Sequence, residues 1–178
     1  MDAQIFADEL RQLAPPAEKL AEKGISSEGI EREQKSYLCV EKKGLERQDD
    51  PILDLITRYD LSSVEIGMVR FVDEAVQQDG SIYIGEFEVD PILMDITSKE
   101  IYVVDRDAHN HIMSWCARNG DSFLDALIIA ERRLSRCGID YALSNDQVAA
   151  CEIASDCAKV AGGTKYLNFY KTLVACFS

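Results

Sequence analysis

Residues 81–105 read SIYIGEFEVDPILMDITSKEIYVVD, and the spacing of their apolar positions decides the fold class. Three runs rich in β-branched and aromatic residues, Ser81 to Val89, Ile92 to Ile96 and Ile101 to Asp105, are separated by breaks of only two and four residues. Such breaks are too short for a crossover helix, so neighbouring runs must pair antiparallel. Similar runs stand on either side, Val64 to Val72 before and Ile112 to Ala117 after. The reading is a five-stranded antiparallel meander over residues 61–120.

Helical periodicity flanks the sheet. Phe6, Leu10, Leu13, Ala17 and Leu20 recur every three or four residues, and Pro15-Pro16 divides them into two short helices meeting at Ala14. Asp50-Pro51 is an N-cap followed by a first-turn proline, and it opens a helix carrying Ile52, Leu53, Ile56 and Tyr59 on one face, ending near Asp60. Residues 24–50 read as a charged linker with one short element at Tyr37-Leu38-Cys39-Val40. After the sheet, Asp121 or Ser122 caps a helix through Phe123, Leu124, Leu127, Ile128 and Leu134, closed by Cys137-Gly138. A Ser144/Gln147 capping box opens a second helix that ends at Gly162-Gly163, and a third is expected over Tyr166 to Phe177. Strands in one block and helices at its ends predict a single α+β domain spanning residues 1–178.

A chain of 178 residues, 47% of them hydrophobic, can bury the core of one domain. No apolar run reaches the roughly 20 residues that span a bilayer, and Met1-Asp2-Ala3-Gln4 has no basic n-region, so the expected location is the cytoplasm. The net charge is −13, which argues against nucleic acid as a partner, and no membrane partner is expected. The excess is concentrated: residues 51–105 hold 12 acidic side chains against 3 basic ones. The six cysteines include no Cys-x-x-Cys pair, so they read as reduced thiols, with Cys116, Cys151 and Cys176 acting as small buried hydrophobes.

The strand ending in Gly85-Glu86-Phe87, the run Asp90-Pro91-Ile92-Leu93-Met94-Asp95-Ile96, the turn Thr97 to Glu100, the strand Ile101-Tyr102-Val103-Val104-Asp105 and the helix opening Asp121-Ser122-Phe123-Leu124 succeed one another in an order that resembles the SUKH superfamily. The similarity runs from Ile66 to Leu127. That family contains a fungal cell-wall regulator and many bacterial immunity proteins that neutralise polymorphic toxins. Lys99 stands where the family's turn usually has glycine, and the Leu-Pro motif that commonly opens the fold is missing. The resemblance implies an α+β fold and a non-catalytic role: an immunity protein that binds a cognate toxin.

Four readings compete with that role, three chemical and one a binding role. Asp105, Asp107, His109 and His111 would share one face if extended, as nitrogen and oxygen donors for Zn, Mn or Fe(II) in a metal-dependent enzyme; a polar loop between strands uses the same residue types and is the simpler reading. Cys116 with His109 or His111 could make a thiol nucleophile, although no third, orienting group is indicated. Gly162-Gly163-Thr164-Lys165 has the letters of a phosphate-loop tail, but it comes after a helix and reads as a C-cap. An acidic homodimeric secretion chaperone for an effector is the alternative binding role, and the chain is expected to act as monomer or homodimer. No cofactor is called for. The partner-binding residues expected are Glu86, Glu88, Asp90, Asp95, Asp105 and Asp107, with Glu86 and Glu88 on one face of a strand and Phe87 and Val89 on the other, directed at a partner with a basic surface.

Overall fold

The computed structural model describes residues 1–108 and 111–177. The chain opens with helix α1 (Ala3–Gln12), whose N-cap Asp2 accepts from the Ile5 amide, and the diproline separates it from α2 (Ala17–Glu22) as the periodicity predicts. Residues 24–50 hold more order than a linker with one short element. Ser26 caps a nine-residue helix, α3 (Ser27–Lys35), and strand β1 (Val40–Glu41) comes next. Helix α3 buries none of its residues, so it shows no apolar period to read; its Glu28/Arg32 and Glu31/Lys35 spacings favour a helix electrostatically instead. Tyr37 and Cys39, both buried in the core, anchor the connection from α3 to β1.

Helix α4 (Pro51–Arg58) begins at the expected cap, where Asp50 Oδ1 accepts from the amides of Ile52 and Leu53. It runs into strand β2 (Tyr59–Asp60), which pairs antiparallel with β1. A buried ion pair holds this corner. Arg58 donates to Asp54 at 3.1 Å and to Glu41 on β1 at 2.6 Å, while the Gln48 amide donates to Asp54 at 2.9 Å. The charged linker is thereby tied to the helix it precedes.

Six further strands run in sequential antiparallel order: β3 (Glu65–Ile66), β4 (Val69–Gln78), β5 (Ser81–Phe87), β6 (Asp90–Asp95), β7 (Ile101–Val104) and β8 (Ile112–Ala117). The single strand expected over Val64 to Val72 is therefore split. Gly67, at φ 57°, lets the chain reverse through Gly67-Met68, and β4 continues to Gln78 beyond the expected end. At Gly85 a side chain is excluded outright, because a Cβ would stand 2.3 Å from the Arg70 carbonyl on β4. Lys99 takes φ 65°, the left-handed conformation that glycine favours.

One sheet face carries Val69, Ile92, Met94, Ile101, Val103 and Cys116 into the core. Helix α4 packs on β4 and β5. The long helix α5 (Gly120–Ile139) packs on β3 and β8, and its N-cap is Asn119, not Asp121 or Ser122. Asn119 prevails because it is the last extended residue after β8. Next come α6 (Tyr141–Ser144) and α7 (Gln147–Ala161), the latter capped by Asp146 in place of a Ser144/Gln147 box, since Ser144 belongs to α6. Gly162, at φ 130°, terminates α7, and a 3₁₀ turn (Thr164–Tyr166) leads into α8 (Leu167–Leu173). Helix α8 stops before Phe177 because Ala175 turns left-handed and Cys176 is joined by a disulfide to Cys151. That bond corrects the expectation that all six thiols are free; Cys39, Cys116, Cys137 and Cys157 are.

Two charged groups inside this fold have measurable consequences. Replacing Asp54 with Ala leaves the half-buried Arg58 and the Gln48 amide without their acceptor and should lower stability in urea by about 2 kcal/mol, whereas Glu41→Ala, which removes an exposed partner, should cost under about 1 kcal/mol. Glu131 on α5 is 2% exposed, and burial pushes its carboxyl up to about 7, with a hydrogen bond from Tyr37 opposing the rise and the charge of Glu33 adding to it. Because the folded chain holds that proton more tightly than the unfolded chain, stability is full at low pH and falls as pH rises from the ordinary carboxyl value through 7. The loss amounts to about 3 kcal/mol. Glu131→Gln should match the wild type near pH 4 and exceed it near pH 8 when urea midpoints are compared across pH.

Candidate functional site: the outer face of the sheet

The two long apolar runs of the sheet supply both of its faces. On β6, Ile92 and Met94 face the core while Leu93 between them faces out, and on β7 Ile101 and Val103 face the core while Tyr102 and Val104 face out. Leu93 and Val104 are nonetheless 8% and 4% exposed, although neither belongs to the core under the helices. They form the floor of a concavity of about 460 Å³, together with Ser81, Pro91, Tyr102 and Ile112, with Gln78 and Asp79 of the β4–β5 turn at its edge. Within it the hydroxyls of Tyr102 and Ser81 are hydrogen bonded at 2.7 Å, and the Tyr102 ring lies 5.4 Å from that of Trp115. The result is a hollow with an apolar floor, a polar edge and one satisfied hydroxyl pair.

Most of the predicted carboxylates gather at one end of this sheet, but not as a bare acidic row. Glu86 pairs across from Arg70 on β4 and accepts from the Tyr83 hydroxyl at 2.9 Å; burial and that bond push the Tyr83 phenol up to about 12. Glu88 does not share a strand face with Glu86: β5 ends at Phe87, and Glu88-Val89 is the two-residue β5–β6 loop, with Glu88 at φ 56°. Phe87 packs on Phe169 of α8 with ring centroids 5.1 Å apart, and Val89 is exposed. Asp90 accepts from the Arg106 amide at 3.1 Å, which brings the β7–β8 loop beside the β5–β6 loop. Asp105 accepts from the amides of Asp107 and Ala108, and Asp107 is exposed.

Asp95 lies at the opposite end of β6. It caps the β6–β7 turn by accepting from the amides of Ser98 and Thr97, which hold its carboxyl below the ordinary range. The structure thus brings together Glu86, Glu88, Asp90, Asp105 and Asp107 and leaves Asp95 apart.

The Asp105 amide donates to the His111 carbonyl and the His111 amide to the Ala108 carbonyl, so Asp105, Asp107 and His111 do not alternate along an extended strand. His109 lies outside the described residues. Among the described residues no three His, Cys, Asp or Glu side chains gather as a metal requires. Cys116 is fully buried, and burial pushes its thiol well above the ordinary value, so it is no nucleophile. Lys165 acts structurally: it pairs with Glu100 and sits 3.6 Å over the Trp115 ring, pinning the 3₁₀ turn to the sheet. Burial raises the Glu100 carboxyl, but the hydrogen bonds from Lys165 and Tyr166 outweigh it and hold the group below its ordinary value.

The apolar floor escaped a reading based on charge. Its signal is present all the same, because Ile92-Leu93-Met94 and Ile101 to Val104 are continuous apolar runs, the pattern of strands covered on both faces. No family model, curated protein or solved structure matches the chain. Among the described residues no helix is long and apolar enough to cross a membrane.

The two faces should respond differently to truncation. Leu93→Ala opens onto a concavity that can rearrange and should cost about 2 kcal/mol, whereas Ile92→Ala leaves a closed cavity under the helices and should cost about 4 kcal/mol. Urea unfolding of the two variants checks the difference.

Proposed function

We propose that the protein is a non-catalytic binding protein, an immunity protein that blocks a cognate bacterial toxin by covering its basic substrate-binding surface. The observation that carries this reading is the juxtaposition on one sheet of a hollow, floored by the apolar surfaces of Leu93, Tyr102 and Val104, with a group of carboxylates at its end. Apolar and aromatic centres supply most of the affinity of an interface, while surrounding charges set orientation and association rate. The turn-capping carboxylates serve this role undiminished, since hydrogen bonding to backbone amides stabilises the charge without cancelling it.

The location that goes with this reading is the cytoplasm. A reducing cytoplasm opposes the Cys151–Cys176 disulfide, so binding is measured with and without reductant, and this reading expects it to survive reduction of that bond.

The test begins with the tagged protein as bait in its native host, and then reconstitution with the purified partner. A basic toxin domain should bind at one-to-one stoichiometry. Glu88→Lys with Asp107→Lys, both at exposed positions, should slow association about tenfold at low salt and change dissociation little. Association that keeps its rate in this variant removes the acidic end from the interface.

A further inference from the structure

A second cavity, of about 530 Å³, lies away from the outer sheet face, between α3, the residues around β3 and the side of α5. Glu28, Glu31 and Glu33 of α3 stand in its wall, with Tyr37 and Glu131 deeper and Glu65 at β3. Glu65 already has a cation, since Arg70 donates to it at 3.0 Å. Glu131 has none. Its Oε2 is buried and has no hydrogen-bond partner, although Arg32 and Lys35 line the same cavity.

A buried carboxylate oxygen left unpaired is costly, and a bound group that supplies a donor to it removes that cost. What can satisfy Oε2 is a donor, and the three glutamates of α3 favour one that carries positive charge. These carboxylates are spread along a helix, and among the described residues no three converge as a metal ion needs; an organic cation with several separated N–H groups fits better. The wall can also yield. Helix α3 buries none of its residues, so shifting it to admit a ligand exposes little apolar surface.

We propose that this cavity binds a guanidinium or ammonium group, with Glu131 Oε2 accepting from its inner N–H and Glu28, Glu31 and Glu33 surrounding its charge. The group could belong to an arginine or lysine side chain of another protein, or to a free amine. Either way Glu131 must be ionised to pair. Because burial sets its carboxyl near 7, affinity rises by roughly tenfold from pH 6 to pH 8. The groups facing it are Tyr37, which donates to it, and Glu33, which opposes its ionisation.

The experiment titrates the full chain with agmatine, and separately with an end-blocked Gly-Arg-Gly peptide, by calorimetry across pH. Saturable binding is expected, weakened at least tenfold and made pH-independent by Glu131→Gln, with a smaller loss in Glu33→Gln. Tighter binding of the peptide than of agmatine identifies a protein side chain as the source, and the reverse identifies a free amine. Carbon-13 detection of the Glu131 carboxyl gives a readout independent of any variant: saturating agmatine should lower its titration midpoint by about one pH unit. Failure of both probes to saturate by about 10 mM at pH 8, equal binding by Glu131→Gln, or an unmoved midpoint would each overturn the proposal.

Discussion

The enclosure of helix α5 governs the packing of everything around it. The helix touches α1, α4, α6 and α7 as well as β3 and β8, and it meets solvent along one stripe through Asp121, Arg132 and Arg136. Phe123, Leu124 and Leu127 are fully buried, each contributing about 2 kcal/mol by leaving water. Its first residue also joins it to α4. A side chain on Gly120 would meet Asp50 Oδ1 at 2.9 Å, and that same oxygen caps α4, so the two helix starts interlock through a glycine and a cap. A helix enclosed in this way must place polar residues inside. Arg133 is satisfied there by the carbonyls of Leu143 and Asp146, while Glu131 is left with a free oxygen.

The helices cover one face of the sheet, and the other closes partly on itself. The β4–β5 turn brings Gln78 and Asp79 to the edge of the outer face, which leaves Leu93 and Val104 nearly inaccessible without a helix above them. The loops at the far end add charge by a local necessity. Asp105 accepts from the amides of Asp107 and Ala108 within its own tight reversal, a task suited to its short acceptor side chain, and Asp90 accepts from the Arg106 amide of the neighbouring loop. A surface whose loops are held by carboxylate–amide bonds thus acquires a negative potential beside a hollow with an apolar floor, and both bear on association with a basic protein.

Much of this was legible in residue order. The breaks at Pro15-Pro16, Asp50-Pro51 and Gly162 act through local backbone chemistry, and each marks an element boundary in the structure. Where several residues could perform one local task, order alone chose wrongly: Asn119 and Asp146 cap α5 and α7 although neighbouring residues have equally suitable side chains. Helix α3 lacked the apolar period by which helices are read, and the split at Gly67 was hidden in a continuous β-like run. The carboxylates were visible as types, but their grouping was not, and Asp95 proved to belong to the opposite end of the sheet.

Residue order was enough for the fold class, the antiparallel order of the strands and the acidity of the central third, because these arise from periodicity, loop length and charge along adjacent residues. It took the assembled fold to establish that Leu93 and Val104 floor a hollow, that Cys151 reaches Cys176, and that Glu131 is enclosed with one oxygen unpaired. Each of these depends on which distant segments meet, and contacts across the chain are set by the packing of whole elements, which no local pattern records.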